Sequence, residues 1–339
     1  MGVQLGDIVP RQEVNLEALG GLSIAIDAFN TLYQFLSIIR GPDGTPLKNR
    51  RGEVTSHLSG LFFRCCNMLR IGIKPVFVLD GAPPDIKRAE IKRRHVYKAE
   101  AKQKYTEAVE RGDMAVARKF AQATASIEEH IIETSADLLG RMGVPVVQAP
   151  SEGEAQAAHM AIAGSVWAAA SQDYDSFLFG APRLVRNVAI TGRRKLPGRS
   201  AYVEVKPELV TLEEVLRENG ISREELIAIG LLVGTDFNSG VKGLGPKTAL
   251  KLVKEGKGLD GIHAERGLEK PPELEAARRF FESPIVTDEV DLVWEAIDVE
   301  AVVSYLKEEH DFGEERVRKA AEEVAEAQRV RKGSLSKWF

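Results

Sequence analysis

Hydrophobic positions in the first half of the chain fall into short unbroken runs. Each has an acidic residue at or soon after its end, followed by a longer stretch with helical spacing. Residues 22–26 predict a buried strand ending at Asp27, with a helix over 28–40 behind it. A turn-rich segment over 41–46 leads to a second helix that reaches Arg70. Residues 75–79 predict a second strand ending at Asp80, where Gly81-Ala82-Pro83-Pro84 stops regular structure. Residues 85–135 read as long charged helices. Residues 144–148 predict a third strand, after which Ser151 is placed to cap a helix. Residues 166–170 predict a fourth, running into Asp173-Tyr174-Asp175. Strands alternating with helices predict an α/β fold, a mostly parallel central sheet flanked by helices with right-handed crossovers. Beyond about residue 207 the spacing is mostly helical, and no internal repeat is visible.

Composition narrows the class. The 339 residues are 44% hydrophobic and 28% charged, which excludes collagen-like and disordered chains. The two cysteines, Cys65 and Cys66, are neighbours and cannot build a disulfide framework. No histidine stands at zinc-ligand spacing from them, so both are expected in the core of a protein from a reducing compartment. No signal-peptide pattern is present. The uncharged stretch 155–172 is Ala-rich and interrupted by Gln156, His159 and Gly164, so a helix followed by a buried strand fits it better than a membrane span. The expectation is an intracellular protein without membrane association, cytoplasmic if archaeal.

The formal charge of −4 argues against a nucleic-acid partner until it is resolved by segment. Residues 86–119 hold eleven Lys/Arg against five acids, and residues 183–206 hold seven against one. Residues 286–330 hold fourteen acids against five bases and cancel both blocks in the total. Two basic blocks beside acidic strand ends favour a polyanionic partner over plainly solvated helix faces.

In an open parallel sheet the strand C-termini line up along one edge, and ligands bind in the crevice there. Asp27, Asp80 and the pair Asp173 and Asp175 lie at or just past three such ends, and Glu152 and Glu154 follow the remaining one. Taken singly, each has a plain alternative. Ser151 and Glu154 match a capping box, Asp173 and Asp175 suit a turn or cap, and Asp27 and Asp80 could begin loops. Those alternatives must coincide at four separate strand ends. Like charges so close cannot all ionise without a counter-ion. An all-oxygen set suits Mg²⁺, or Mn²⁺, and two such ions serve phosphodiester hydrolysis.

Downstream, Gly234-Thr235-Asp236 leads to Gly243-Leu244-Gly245-Pro246-Lys247, with Lys242, Lys251 and Lys254 nearby and no acid among them. A Gly-x-Gly-Pro turn opening a helix offers backbone N–H groups to phosphate. The Walker spacing is absent, and the alternative is an ordinary helix–turn–helix connection with Pro at the first helical position. The expected use is to hold a DNA backbone without reading its sequence.

Six segments carry a resemblance: Met1-Gly2-Val3 with Asp27-Ala28, residues 72–81, residues 149–155, residues 171–176, residues 234–237 and residues 243–247. In this order and spacing the chain resembles the flap endonucleases, archaeal in style, among the XPG-type structure-specific 5′ nucleases, over essentially its whole length. The resemblance implies a PIN/5′-nuclease-like fold with a helical arch and a helix–turn–helix DNA clamp. It adds Asp236 to the six acids as a seventh metal ligand. It implies catalytic roles for Lys87 and Arg94, offsetting charge on the scissile phosphate. Tyr33 matches the family's stacking aromatic, with core packing as its alternative. Gly2 would lie near the active site once Met1 is removed. Lys242, Gly243, Gly245 and Lys247 would contact duplex DNA, where a monovalent ion is also implied.

The charged helices over 85–135 would form the arch that passes a single-stranded 5′ flap. The implied organisation is one nuclease domain over 1–325, with an N-terminal region to about 84, the arch to about 135, the internal region with the DNA clamp to about 260 and a helical C-terminal region. A flexible tail follows over 326–339. There Lys332, Leu335, Trp338 and Phe339 resemble a sliding-clamp (PCNA) binding peptide, with Lys332 where such peptides carry Gln; a frayed terminus is the alternative.

The expected function is that of a monomeric Mg²⁺-dependent structure-specific 5′ flap endonuclease with 5′–3′ exonuclease activity. It would act on branched DNA in replication and repair. The alternatives are a related 5′ exonuclease or bubble/junction nuclease and, from a different class, a non-catalytic DNA scaffold recruited by a sliding clamp. A small-molecule phosphatase would need neither the basic blocks nor the Gly-Pro turn.

Overall fold

A computed structural model describes residues 2–335 apart from 42–43, 114–115, 118–119, 121, 190–191, 196–201 and 270. Its strands are β1 (Gln12–Glu13), β2 (Ser23–Asp27), β3 (Lys74–Leu79), β4 (Val146–Gln148), β5 (Ala168–Ala170), β6 (Arg183–Arg186), β7 (Gly192–Lys195), β8 (Tyr202–Val205) and β9 (Glu208–Thr211). β7 and β8 pair as a separate antiparallel hairpin, and the others form one sheet in the order β1-β9-β6-β5-β2-β3-β4. The five strands β6-β5-β2-β3-β4 run parallel, as expected from their alternation with helices. β9 joins β6 antiparallel and β1 joins β9 antiparallel. β9 lies in the region expected to be mostly helical. Four residues carry too little periodicity to announce a strand, and pairing of Val210 with Leu184 and Leu209 with Val185 creates it.

β2 is followed by α1 (Ala28–Ile38) and, after a loop, by α2 (Ser56–Ile71). Alternate residues of each strand enter different cores, as period-2 geometry requires when both faces are covered. Ile24 and Ile26, Phe77 and Leu79, and Ala168 and Ala170 pack with Phe62, Cys65 and Cys66 of α2. Ala25, Val76, Val78 and Ala169 face the opposite core, with Ala155, Ala158 and the helix Arg223–Val233. The two cysteines are buried and free, and burial pushes the Cys66 thiol up to about 12. The stretch 155–172 resolves into most of the helix Gly153–Ile162 followed by β5. Its alanines let that helix lie close against the sheet. Among the described residues no helix is long and apolar enough to cross a membrane.

Growth of the sheet in both directions from β2 creates a switch point at the C-terminal ends of β2 and its neighbours, where a crevice forms. α3 (Arg88–Glu110) leaves this edge; of its 23 residues only Ala101 and Ala108 are buried. It stands off the sheet as a charged rod. The helix Glu129–Arg141 then returns to the core through Ile131, Leu138 and Leu139.

At the other end, the helix Glu314–Leu335 corrects the expectation of a flexible tail from 326, because residues 326–335 are helical. Val317, Ala321 and Val324 bury one stripe of it in the core that holds α2. Further along, the Arg331 guanidinium donates to the carbonyls of Leu69 (2.5 Å) and Arg70 (2.7 Å) at the end of α2. The Leu69 carbonyl also accepts from the Gly72 N–H at 3.1 Å, so the cation reinforces the C-terminal cap of α2 and pins the long helix. Lys332 and Leu335 sit on its last turn; Trp338 and Phe339 lie outside the described residues.

Candidate active site

Three parallel strands in register bring their ends to one edge: Asp27 lies opposite Val78, and Leu79 opposite Gln148. Asp27 caps α1, its Oδ1 accepting from the Asn30 N–H at 3.0 Å. The turns after β3 and β4 are zipped together. Gly81 N–H donates to Ser151 O (2.6 Å), Gln148 Nε2 to Asp80 O (2.8 Å) and Ser151 Oγ to Ala82 O (3.1 Å). A Cβ at Gly81 would sit 2.2 Å from Ala149 O, so only glycine permits this approach. The Gly153 N–H donates to Asp80 Oδ1 at 2.6 Å.

The capping box that was the alternative for Ser151 and Glu154 does not form. The helix starts at Gly153 with Glu152 as its cap residue, and Ser151 is drawn instead to the neighbouring turn. Glu154 reaches across to accept a hydrogen bond from Ser171 Oγ.

Beyond β5, Asp173 Oδ2 accepts from Asn30 Nδ2 (3.1 Å), and Asn30 Oδ1 from Gln34 Nε2 (2.7 Å). Asp175 opens the helix Asp175–Leu178, and its Oδ1 accepts from the Val3 N–H at 2.9 Å. The start of the chain thus lies in the site. A Cβ on Gly2 would fall 2.4 Å from Asp173 Cβ and 2.7 Å from Asp175 Oδ2.

Asp236 has no strand behind it. The helix Arg223–Val233 ends at Gly234, whose φ of 107° favours glycine. A tight turn follows, in which Thr235 N–H donates to Asn238 O (3.0 Å) and Asn238 Nδ2 to Leu231 O (2.6 Å). Two cations from the region after β3 meet the acids here. Lys87 Nζ donates to Glu152, lies 3.8 Å from Asp236 Oδ2, and is 5.8 Å from the Phe237 ring centre. Arg94 donates to Asp236 Oδ2 (2.6 Å) and Glu90 Oε1 (2.8 Å).

All seven acids interact electrostatically within this cluster. Burial first, then the charge of Asp80, holds Asp27 well above the usual carboxylate range. Burial and then Asp175, Asp27 and Asp173 do the same to Glu154. Asp175 is pushed up to about 7 by burial, Asp236 and Asp173. Burial also raises Asp80 and Glu152, against the pull of the Gly153 N–H on Asp80 and of Lys87 on both. Burial would raise Asp236 too, but the amino-terminal charge, Arg94 and Lys87 carry it below its ordinary value. Among the described residues no three of these groups are gathered closely enough to hold an ion as they stand. The donor set is nevertheless hard oxygen throughout, and its mutual repulsion is what divalent cations relieve, so the residues fit such ions.

Protons and cations compete for these carboxylates, which fixes a sign. An acid with a raised folded pKa stabilises the metal-free fold below about pH 4, and that stability is lost as pH rises through about 7. The gap in thermal midpoint between Mg²⁺ and EDTA is therefore expected to widen from pH 5 to pH 8. Differential scanning fluorimetry measures it, and a gap that stays constant or narrows would contradict this electrostatic picture.

Tyr33 is 38% exposed, which removes the core-packing alternative, and Lys98 Nζ stands 5.5 Å from its ring centre. In the Gly-Pro turn, Leu244 is the buried anchor while Lys242, Gly243, Gly245 and Lys247 are exposed. Gly245 caps the helix Pro246–Lys254, with Pro at its first position. The second basic block is less free than its charge suggests. Arg183 donates to Trp167 O (3.2 Å), and Arg186 pairs with Glu208 (2.7 Å).

The XPG N-terminal domain matches residues 1–101, and the XPG I-region matches residues 143–236. Flap endonuclease 1 of Pyrococcus furiosus is 53% identical over 341 residues, covering 100% of this chain and 99% of the relative. Flap endonuclease 1 of Archaeoglobus fulgidus is 51% identical over 340 residues, covering 100% of both. The chain belongs to the flap endonuclease family. It is a structure-specific nuclease that hydrolyses DNA phosphodiester bonds, and nucleases of this family are metal-dependent. Flap endonuclease-1 from Methanococcus jannaschii superposes with a TM-score of 0.76 at 40% identity, covering 96% of this chain and 98% of that one. The catalytic core of Rad2 in complex with DNA substrate shares the fold at a TM-score of 0.70 and 24% identity, covering 94% and 97%.

In this flap endonuclease several site neighbours carry no signal of their own in the sequence. Asn30, Ser171 and Lys98 are ordinary polar residues until the fold places them beside Asp173, Glu154 and Tyr33. Gly153 was legible only as a glycine in the first turn of a helix. A Cβ there would lie 2.7 Å from Asp80 Oδ1 and 3.2 Å from Val78 O. Gly153→Ala is expected to keep the fold, since alanine favours helix, and to lower flap cleavage roughly ten- to a hundredfold by displacing the Asp80 carboxylate. Circular dichroism with a single-turnover assay checks both halves, and a folded variant with the wild-type rate would show that this contact does not position Asp80.

Proposed function

We propose that Asp27, Asp80, Glu152, Glu154, Asp173, Asp175 and Asp236 hold two Mg²⁺ ions, and that the enzyme cuts a DNA strand at the base of a 5′ flap. The observation that carries this reading is the collection of seven carboxylates along one sheet edge with Lys87 and Arg94 folded in among them. Bound divalent ions supply Lewis acidity, an activated water and charge for the leaving oxygen. The chain's own residues do the rest. Lys87 and Arg94 exchange their carboxylate partners for oxygens of the scissile phosphate and offset the charge that develops there. Tyr33 stacks on a base at the junction, with Lys98 above its ring.

Recognition follows DNA shape rather than sequence. The exposed Lys242, Gly243, Gly245 and Lys247 hold duplex backbone at the start of the helix Pro246–Lys254, where a monovalent ion would also sit. α3, almost free of the core, forms one side of the arch through which the flap passes. The last turn of the helix Glu314–Leu335 carries Lys332 and Leu335, the first anchors of a sliding-clamp (PCNA) peptide, and the enzyme acts as a monomer on branched DNA. Matched 5′-flap, nicked-duplex and four-way-junction substrates test the assignment. The flap is expected to be cut fastest; preference for the junction would favour a junction nuclease instead.

A further inference from the structure

Arg186 is the last residue of β6 and belongs to the second basic block, yet its guanidinium points into the protein. Nε donates to Gln172 O at 3.2 Å. Nη1 donates to the Tyr174 hydroxyl and to Glu208 Oε2, each at 2.7 Å. Its central carbon lies 4.4 Å from the centre of the Tyr174 ring. One planar cation therefore touches the residue before Asp173 and the residue that separates Asp173 from Asp175. Glu208, directly opposite Arg186 in the β6–β9 register, holds the guanidinium from behind. This gives β9 a purpose beyond extending the sheet.

We propose that Arg186 is a positioning residue that sets the affinity of the Asp173/Asp175 half of the site for a divalent ion. The inference rests on the assignment of those two acids as metal ligands. Asp175 is tied on its other side by the Val3 N–H (2.9 Å) and Asp173 by Asn30 (3.1 Å). The Tyr174 ring, 5% exposed, stacks at 6.5 Å from Phe177 and cannot swing without dragging both carboxylates. Arg186 closes this bracket through the backbone and the ring rather than through the acids, so its hydrogen bonds leave both carboxylates open to an ion. A delocalised fork suits a site that needs three acceptors at fixed angles, which a lysine ammonium would not reproduce. Partners of this outer kind typically matter by about 10–100-fold in metal affinity or activity.

Isothermal calorimetry of Mg²⁺ binding to the full chain, without DNA, tests the proposal, together with single-turnover flap cleavage across a Mg²⁺ series. Arg186→Met keeps an unbranched side chain of similar reach and removes the fork. It is expected to weaken Mg²⁺ binding about tenfold and to raise the half-saturating Mg²⁺ for cleavage by a similar factor. The rate at saturating Mg²⁺ should recover to within a few-fold of wild type, a split that general loss of structure would not produce. Tyr174→Phe, which removes one hydroxyl from an intact ring, should shift both curves the same way by about two- to threefold. Wild-type Mg²⁺ affinity in a folded Arg186→Met protein would overturn the proposal; if that variant does not fold, wild-type affinity in Tyr174→Phe does so. A wild-type enzyme that binds no Mg²⁺ would overturn the metal assignment itself, a distinguishable failure.

Discussion

Asp80→Asn is expected to abolish Mg²⁺-dependent cleavage of a 5′ flap, with a loss on the order of a thousandfold or more, while leaving flap binding largely intact. Asparagine keeps the shape of the side chain, and its carbonyl can still accept the Gly153 N–H that Asp80 Oδ1 takes at 2.6 Å. The Gln148 side chain that helps zip β3 to β4 meets the Asp80 backbone carbonyl, which the substitution leaves in place, so the fold survives. What disappears is one negative charge from the centre of the cluster, next to Asp27, Glu152 and Asp236. Surfaces proposed to hold DNA, the Gly243–Lys247 turn and α3, are untouched. Single-turnover kinetics with a parallel binding titration read both outcomes. Undiminished cleavage would remove Asp80 from the chemistry.

Lys87→Ala is the second large effect, roughly two to three orders of magnitude in turnover with little change in flap affinity. The lysine is 13% exposed in its side chain and shared between Glu152 and Asp236. Burial alone would lower its pKa, but Glu152, Asp236 and Asp80 hold it above the ordinary value, so it carries full charge at any working pH. Its removal has a second consequence. Without Lys87, Glu152 loses its direct countercharge, and the metal-free protein should melt earlier, with Mg²⁺ restoring more of the loss than in wild type. A variant that turned over at the wild-type rate would confine Lys87 to this electrostatic role.

The contrast between Asp80 and Asp236 shows what the sequence made legible. Asp27 and Asp80 each close an apolar run, and parallel register turns two linear positions into neighbours without further information. Asp236 follows a helix and a turn. Only the packing of Arg223–Val233 against the sheet, through Leu226, Ile229 and Leu232, brings it to the edge, and family resemblance rather than periodicity announced it. Ser151 and Glu154 show the opposite case. Their spacing is a sound local signal, but a hydroxyl drawn to Ala82 O and a carboxylate met by Ser171 outcompete it through contacts distant in sequence. The described part of the tail, 326–335, differs from the expected flexible segment for a similar reason. A polar, charged stretch looks flexible, yet residues 326–335 continue a helix that Val317, Ala321 and Val324 anchor one turn earlier and that Arg331 ties to the end of α2.

Charge was equally a matter of place. A formal −4 conceals an acidic edge whose carboxylates ask for cations, and two basic blocks with different fates. Along α3 the cations stay near solvent, except for Arg94 and Lys98, which turn toward Asp236 and Tyr33. In β6 the arginines turn inward instead, Arg183 to Trp167 O and Arg186 to Gln172 O, Tyr174 and Glu208.

This acidic edge is proposed to cut DNA at a flap junction with bound magnesium. Mapping the cut on a double-flap substrate, with Mg²⁺ and with EDTA, tests it most directly. The expected result is a single major product, cleaved at or next to the base of the 5′ flap, and only when Mg²⁺ is present. Cleavage that persists in EDTA, or products scattered along the duplex, would contradict it.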